Sequence, residues 1–227
     1  MSGSKTAKDG FKNEQVIASL LGSVSPEAQQ LKAAIGITGE TLTELVHGKK
    51  SDIWIVSDLL SFGIQTKKAD ANFNHVARYK VDKYGEVLGM PDDVVETLKM
   101  FCGDIKVDPD KKRLFMKDIS KERVDNVLEY LSNNKRKLLE FVFYGEDPDT
   151  APKYYIVTYQ DKYHVFNTSD VVDYYMQSEP EVSPRSSLKI GGLTIQRKGG
   201  QGSPNDLQIK IKPLDLIRNT DYCLFVT

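Results

Sequence analysis

The sequence predicts a mixed α/β protein in which helices flank a central mixed β-sheet, and three observations carry that expectation. Apolar residues recur at helical intervals between Asn13 and Ala34 and again between Pro91 and Asn133. β-Branched residues crowd the stretch from Ser51 to Lys67, and the C-terminal third holds short aromatic and β-branched runs separated by turn residues. With 227 residues, 40% of them hydrophobic and 28% charged, the chain is long enough for one well-formed core, so a single domain over residues 1–227 is expected.

Taken in order, Asn13 to Leu21 spaces Val16, Ile17, Leu20 and Leu21 as one helical stripe, with Glu14 on the same helix and Gly10-Phe11-Lys12 leading in. Ser25 then reads as an N-cap and Pro26 as the first turn of a helix running to about Ala34, stopped by Gly36 and Gly39. Residues 51–68, S-D-I-W-I-V-S-D-L-L-S-F-G-I-Q-T-K-K, read as a hairpin whose turn contains Ser61 and Gly63. Helical spacing of Val76, Tyr79, Lys80 and Lys83 predicts a helix over Asn72 to Tyr84, and Val94, Val95, Leu98 and Phe101 predict another from Pro91. Arg113 to Met116 is a short strand or turn, after which Ser120 caps a helix from Lys121 to Asn133. Tyr154 to Thr158 and Tyr163 to Phe166 read as strands around a turn at Asp161. Leu193 to Gln196 and Gln208 to Ile211 flank a polar, Gly-rich loop. These elements make a five- or six-stranded mixed sheet with helices on both faces, and no internal repeat is visible.

Charge is informative only locally. The formal net charge is −1 and the pI about 6.3, which excludes a generally basic nucleic-acid binder. Lys67, Lys68, Arg78, Lys80 and Lys83 nevertheless outnumber the acids between Gly63 and Lys83, and Arg197, Lys198, Lys210 and Lys212 face only Asp206 between Thr194 and Lys212. Those two stretches suit phosphates, while acids such as Glu146, Asp147, Asp149 and Asp161 belong to an outer surface. No run approaches the roughly 18 apolar residues of a membrane span, and the first residues carry no apolar leader, so a cytoplasmic protein is expected. Cys102 and Cys223 fit reduced thiols there.

One constellation offers chemistry. Alternate strand residues share a face, so Gln65 and Lys67 point together, and hairpin pairing brings Asp52 to the same end, its carboxylate near the Gln65 amide oxygen. Phosphodiester hydrolysis needs such an inventory: hard oxygen ligands for a divalent ion, here Asp52, Gln65 and the Thr66 carbonyl, and a cation, Lys67, beside the attacking water. An exposed hairpin rim explains the same residues without chemistry. Phosphate-loop, zincin, nucleophile-elbow and CxxC patterns are absent from the sequence, and His47, His75 and His164 are too scattered for a zinc site.

Four blocks carry a resemblance: G-S-K-T-A-K-D-G-F-K-N-E from Gly3 to Glu14; K-S-D-I from Lys50 with I-Q-T-K from Ile64; N-F-N from Asn72; and S-P-R-S-S followed by L-T-I-Q-R-K-G-G between Ser183 and Gly200. The sequence resembles the HinP-type restriction endonucleases, GCGC-cutting and MspI-related members of the PD-(D/E)XK superfamily, from near its first residue to about Pro213, with the middle third poorly matched. The resemblance implies a restriction-endonuclease-like fold, with a catalytic core at about residues 1–100 and a DNA-reading segment at about 183–213. It also implies a magnesium-dependent active site of Asp52, Gln65 and Lys67, in which the glutamine replaces the usual second carboxylate.

By the same resemblance Glu14 is an outer or second-metal ligand. Asn74 lies on a helix whose following residue is a glutamine wedge in the family and His75 here. Gln196, Arg197 and Lys198 match the major-groove reading segment, residue types suited to base edges. Arg185, Ser203, Asn205 and Gln208 join them on phosphates or edges, and DNA lies between the Asn72 helix and the C-terminal β-segment. The implied substrate is a short, GC-containing, largely palindromic duplex site, with a cognate DNA methyltransferase protecting the host. The enzyme works as monomer or homodimer. A sequence-specific DNA-binding protein without nuclease activity, or a repair nuclease of low specificity, would use many of the same residues.

Overall fold

Along the chain the elements are α1 (Ser2–Leu21), α2 (Pro26–Ala34), β1 (Leu42–Leu45), β2 (Ile53–Val56), β3 (Ser61–Lys68), β4 (Asn74–Tyr79), α3 (Val81–Leu88) and α4 (Asp92–Cys102). Then come α5 (Lys121–Asn133), α6 (Lys135–Tyr144), β5 (Pro152–Tyr159), β6 (Lys162–Asn167) and α7 (Thr168–Met176). The C-terminal part adds β7 (Pro180–Val182), β8 (Leu188–Ile190), β9 (Leu193–Arg197), β10 (Leu207–Ile211), α8 (Pro213–Ile217) and β11 (Phe225–Val226). This computed structural model describes the chain except residues 1, 47–48, 58–59, 70–73, 109, 112–113, 199–204, 219 and 227, and describes the backbone alone of residues 2–7 and 220.

The chain divides into two compact units, each drawn from separated segments: residues 1–74, 143–174 and 212–227 in the first, 75–142 and 175–211 in the second. In the first unit six strands form a sheet in the order β1-β2-β3-β5-β6-β11, in which β3 and β5 run parallel and the remaining neighbours antiparallel. One face of this sheet packs on α1 and α2: Ile17, Leu21, Leu31 and Ile35 meet Ile53, Ile55, Phe62, Ile64, Ile156 and Val165 in one buried cluster. Each such side chain contributes roughly 1.5–3 kcal/mol by leaving water, which settles which face of every strand is inward. Ser25 caps α2 as its sequence position predicts, its Oγ accepting from Ala28 N at 3.2 Å, with Pro26 in the first turn.

The second unit has its own five-stranded sheet, in the order β4-β10-β9-β8-β7. Its apolar face consists of Leu188, Ile190, Leu193, Ile195, Leu207, Ile209 and Ile211, all buried, and α4 packs against β9. The mixed central sheet with flanking helices is as predicted; the second sheet is an addition to it.

Several local expectations change. Residues 74–84 are not one helix: β4 is a strand and the helix begins only at Val81. Hydrogen bonding to β10 outweighs the weak helical spacing there, and Tyr79 instead sets its ring 5.7 Å from that of Tyr84 and 5.6 Å from that of Phe141. Ser61 and Gly63 lie inside β3, and the chain reverses between Ser57 and Leu60, where Ser57 N donates to Leu60 O at 2.9 Å. α1 begins well before Asn13, at Ser2, and its mostly polar first turns carry no apolar stripe by which spacing could mark that start. Of the strand or turn expected to end at Met116, the structure has the turn, a 3-10 turn over Met116–Asp118. At the β5–β6 reversal Gln160 and Asp161 both take positive φ, 49° and 59°, which suits a tight hairpin turn. Among the described residues no helix is long and apolar enough to cross a membrane.

His164, on β6, is 8% exposed, and burial, aided by the Lys162 charge, pushes its imidazole below the usual histidine value. The folded state therefore binds fewer protons than the unfolded chain just below pH about 6.5, so stability falls as pH drops through that window. Thermal melts between about pH 5 and pH 7.5 should show a shallower acid decline for His164→Gln than for the parent protein.

Candidate active site and nucleic-acid interface

Strand alternation fixes the first site. Ile53 and Ile55 on β2 and Phe62 and Ile64 on β3 face the α1–α2 core, so Asp52, Gly63, Gln65 and Lys67 face the other way. The pairing of Ile53 with Ile64 continues to Asp52, whose backbone N donates to Ile64 O at 2.9 Å, and this sets Asp52 opposite Gln65. Asp52 Oδ2 accepts from Thr66 N at 2.7 Å and Thr66 Oγ1 at 3.3 Å, and also from Gln65 Nε2. Lys67 Nζ stands 3.7 Å from the same oxygen and donates to the Thr66 carbonyl at 2.9 Å. The three predicted catalytic side chains therefore converge. One detail differs: Gln65 turns its N–H group, not its oxygen, to Asp52, because a carboxylate attracts a donor and repels another oxygen.

Every recorded bond to the Asp52 carboxylate falls on Oδ2, leaving Oδ1 without a hydrogen bond among the described residues. Carboxylate, amide and main-chain oxygens are the donor set of a hard divalent cation. The described residues hold no group of three or more His, Cys, Asp and Glu side chains suited to a metal, and Asp52 is the charged member of this donor set. Glu14 is half-buried on α1, on the stripe with Ile17, Ala18 and Leu21 that packs on the opposite sheet face.

Lys50 stands close enough to Lys67 and Asp52 to feel both charges, a neighbour that sequence reading missed. Burial, then the like charge of Lys67, lowers its ammonium from the ordinary lysine value to about 7, against the pull of Asp52. Its stem lies where a Cβ on Gly145 would be 3.2 Å from Lys50 Cβ, a neighbour 95 positions away that spacing cannot reveal.

The second group lies in the five-stranded sheet. Register sets Leu188 opposite Ile195 and Leu207 opposite Arg197, so the turn before β8, the end of β9 and the start of β10 gather at one end. Arg185, exposed, sits there in a tight turn in which Ser186 N donates to Ser183 O at 2.7 Å and Ser186 takes φ 61°. Arg197, Lys198 and Asn205 are at the same end. Alternation separates two residues that the sequence places side by side: Gln196 points to the polar face, and Arg197 to the face of Leu193 and Ile195.

Arg197 Nη1 lies 3.6 Å from where a Cβ on Gly103 would be, beside the C-terminus of α4, while Asn205 Nδ2 donates to Gly103 O at 2.9 Å. Asp206 accepts from Arg78 Nε at 2.7 Å and lies 3.9 Å from Lys80, which is 3.6 Å from Asp104. Gln208 is 2% exposed, so it is buried on the same sheet face as Gln196 instead of standing at its rim. His75 is exposed, but on β4, so the helical wedge expected of it is a strand residue; Asn74 Nδ2 donates to the Lys68 carbonyl at 2.9 Å. Ser203 is outside the described residues, as are Phe73 and the glycines of the K-G-G-Q-G loop.

The model of the R.HinP1I restriction endonuclease family matches residues 44–217, a span that contains Asp52, Gln65, Lys67 and the β9–β10 strands. The chain belongs to that family. It is thus a type II restriction enzyme, a site-specific deoxyribonuclease. The fold is similar to that in a crystal structure of restriction endonuclease MspI in complex with its cognate DNA, with a TM-score of 0.57 and 15% identity over 87% of this chain and 83% of that one. No curated protein matches the sequence.

A Cβ added to Gly63 would stand 1.9 Å from Ser51 Oγ, 2.7 Å from Ser51 Cβ and 2.9 Å from the Trp54 ring. Ser51 is itself pinned, its Oγ donating to Thr150 O at 2.7 Å. Gly63→Ala should therefore push β2 from β3, lower stability by about 1–3 kcal/mol in urea unfolding, and depress cleavage by displacing Asp52.

Proposed function

We propose that this restriction endonuclease hydrolyses the phosphodiester bonds of double-stranded DNA in a Mg²⁺-dependent reaction at Asp52, Gln65 and Lys67. The convergence of those three side chains on one sheet face carries the reading. The ion would be held by Asp52 Oδ1, the Gln65 amide oxygen after the amide turns over, and the Thr66 carbonyl. When bound, the ion supplies Lewis-acid stabilisation of charge on the scissile phosphate. Lys67, held by Thr66 O, orients the attacking water and offsets the developing negative charge. Thr66 N, donating to Asp52 Oδ2 at 2.7 Å, holds the carboxylate in place.

For recognition, Gln196 is assigned to base edges, and Arg185, Arg197, Lys198, Ser203 and Asn205 to phosphates or edges; His75 and Asn74 approach the duplex from β4. The support is the gathering of these cations and amides at one end of the five-stranded sheet, together with a similar fold whose own structure holds cognate DNA. A short, GC-containing palindromic site, a protecting methyltransferase and a cytoplasmic setting belong to the same proposal, and family membership supports them.

The purified protein should cut a plasmid of known sequence into discrete fragments in Mg²⁺ and not in EDTA, with fragment ends sharing one short motif. Lys67→Ala should lower the cleavage rate by roughly 100-fold or more while leaving Ca²⁺-supported binding intact. Equal loss of binding and cleavage would make Lys67 structural and overturn the assignment.

A further inference from the structure

Gln208 and Gln196 stand directly opposite each other on the β10–β9 ladder. Their side chains share the polar face, so their Cβ atoms are about 4.5–5.5 Å apart, within reach of an amide-to-amide hydrogen bond. Gln208 is 2% exposed, and its Nε2 lies 3.5 Å from the Arg197 carbonyl, which aims the nitrogen end of the amide at the β9 backbone. Its Oε1 is buried and has no hydrogen-bond partner among the described residues. A buried carbonyl without a donor is costly and calls for an account. Across the ladder, Gln196 is half-exposed and carries two N–H groups.

We propose that Gln208 is a positioning residue for sequence reading: its buried Oε1 accepts a hydrogen bond from Gln196 Nε2 in the DNA complex and fixes the edge that the Gln196 amide presents to a base. The inference rests on the reading that β9 lies against base edges. With one N–H committed to Gln208, the Gln196 amide can no longer exchange its oxygen and nitrogen by rotation. It presents one donor and one acceptor in a set order, complementary to a base edge that offers a donor beside an acceptor, as N6 and N7 of adenine do in the major groove. Without the buried carbonyl the amide turns freely and discriminates less.

The test compares full-length Gln196→Ala, Gln208→Met and the double variant on the cognate duplex and on duplexes with single base-pair changes, with thermal melting as a check on folding. Gln208→Asn, which keeps a polar group in place but withdraws the carbonyl, serves if the methionine variant does not fold. The expected result is that each single variant loses roughly tenfold in discrimination at the same base pair and not at others, and that the double variant loses no more than either. If the Gln208 variants change cleavage of every duplex by one common factor while Gln196→Ala still relaxes one position, the positioning role is overturned and base reading by β9 stands. If Gln196→Ala leaves discrimination unchanged at every position, the base-reading assignment itself fails, and the proposal with it.

Discussion

The antiparallel register that sets Ile53 opposite Ile64 governs the chemistry of the sheet that bears it. Because side chains alternate, the burial of Ile53, Ile55, Phe62 and Ile64 against α1 and α2 leaves Asp52, Gln65 and Lys67 no choice of face. A one-residue slip of β2 would bury Asp52 and expose Ile53 and Ile55, and the same slip of β3 would bury Lys67 and expose Phe62 and Ile64. The desolvation of an ionised pair and the loss of apolar burial act together against it. Gly63 is part of the same constraint, since only a residue without a Cβ lets Ser51 and Trp54 close over β3 at that point.

Within that frame the site is electrostatically unusual. One carboxylate stands among two lysines, and a neutral amide occupies the position where a second carboxylate would add negative charge. Burial first, and then the like charge of Lys67, disfavours the charged form of Lys50, and Asp52 offsets part of that. An arriving phosphodiester brings the negative charge that such a site lacks, so substrate binding and cation stabilisation reinforce one another under the proposed mechanism. The Asp52 carboxylate is already oriented by Thr66 N and Thr66 Oγ1 through a single oxygen, leaving the other available.

The five-stranded sheet shows the same principle with a different result. Gln196, Arg197 and Lys198 read in sequence as one block, yet alternation sends Gln196 and Arg197 to opposite faces and places Arg197 beside the end of α4. Gln208 looks in sequence like another surface reader; the ladder turns it into a buried neighbour of Gln196. β4 misled for a related reason. Its spacing of Val76 and Tyr79 fits a helix as well as a strand, and only its pairing with β10, from more than a hundred residues away, decides between them.

What the sequence by itself determined is what local physics and near neighbours control. The Ser25 cap, the helix over residues 121–133, the β2–β3 hairpin with its Asp52, Gln65 and Lys67 face, and the β5–β6 hairpin all arise from contacts a few residues apart, where periodicity and capping carry the information. The tertiary structure alone decided the parallel β3–β5 pairing, the assembly of a second sheet, the burial of Gln208 and the lowered charge of Lys50. Those depend on which distant segment fills the space beside a residue. Burial and hydrogen bonding across the fold set them, and no spacing along the chain encodes that neighbour.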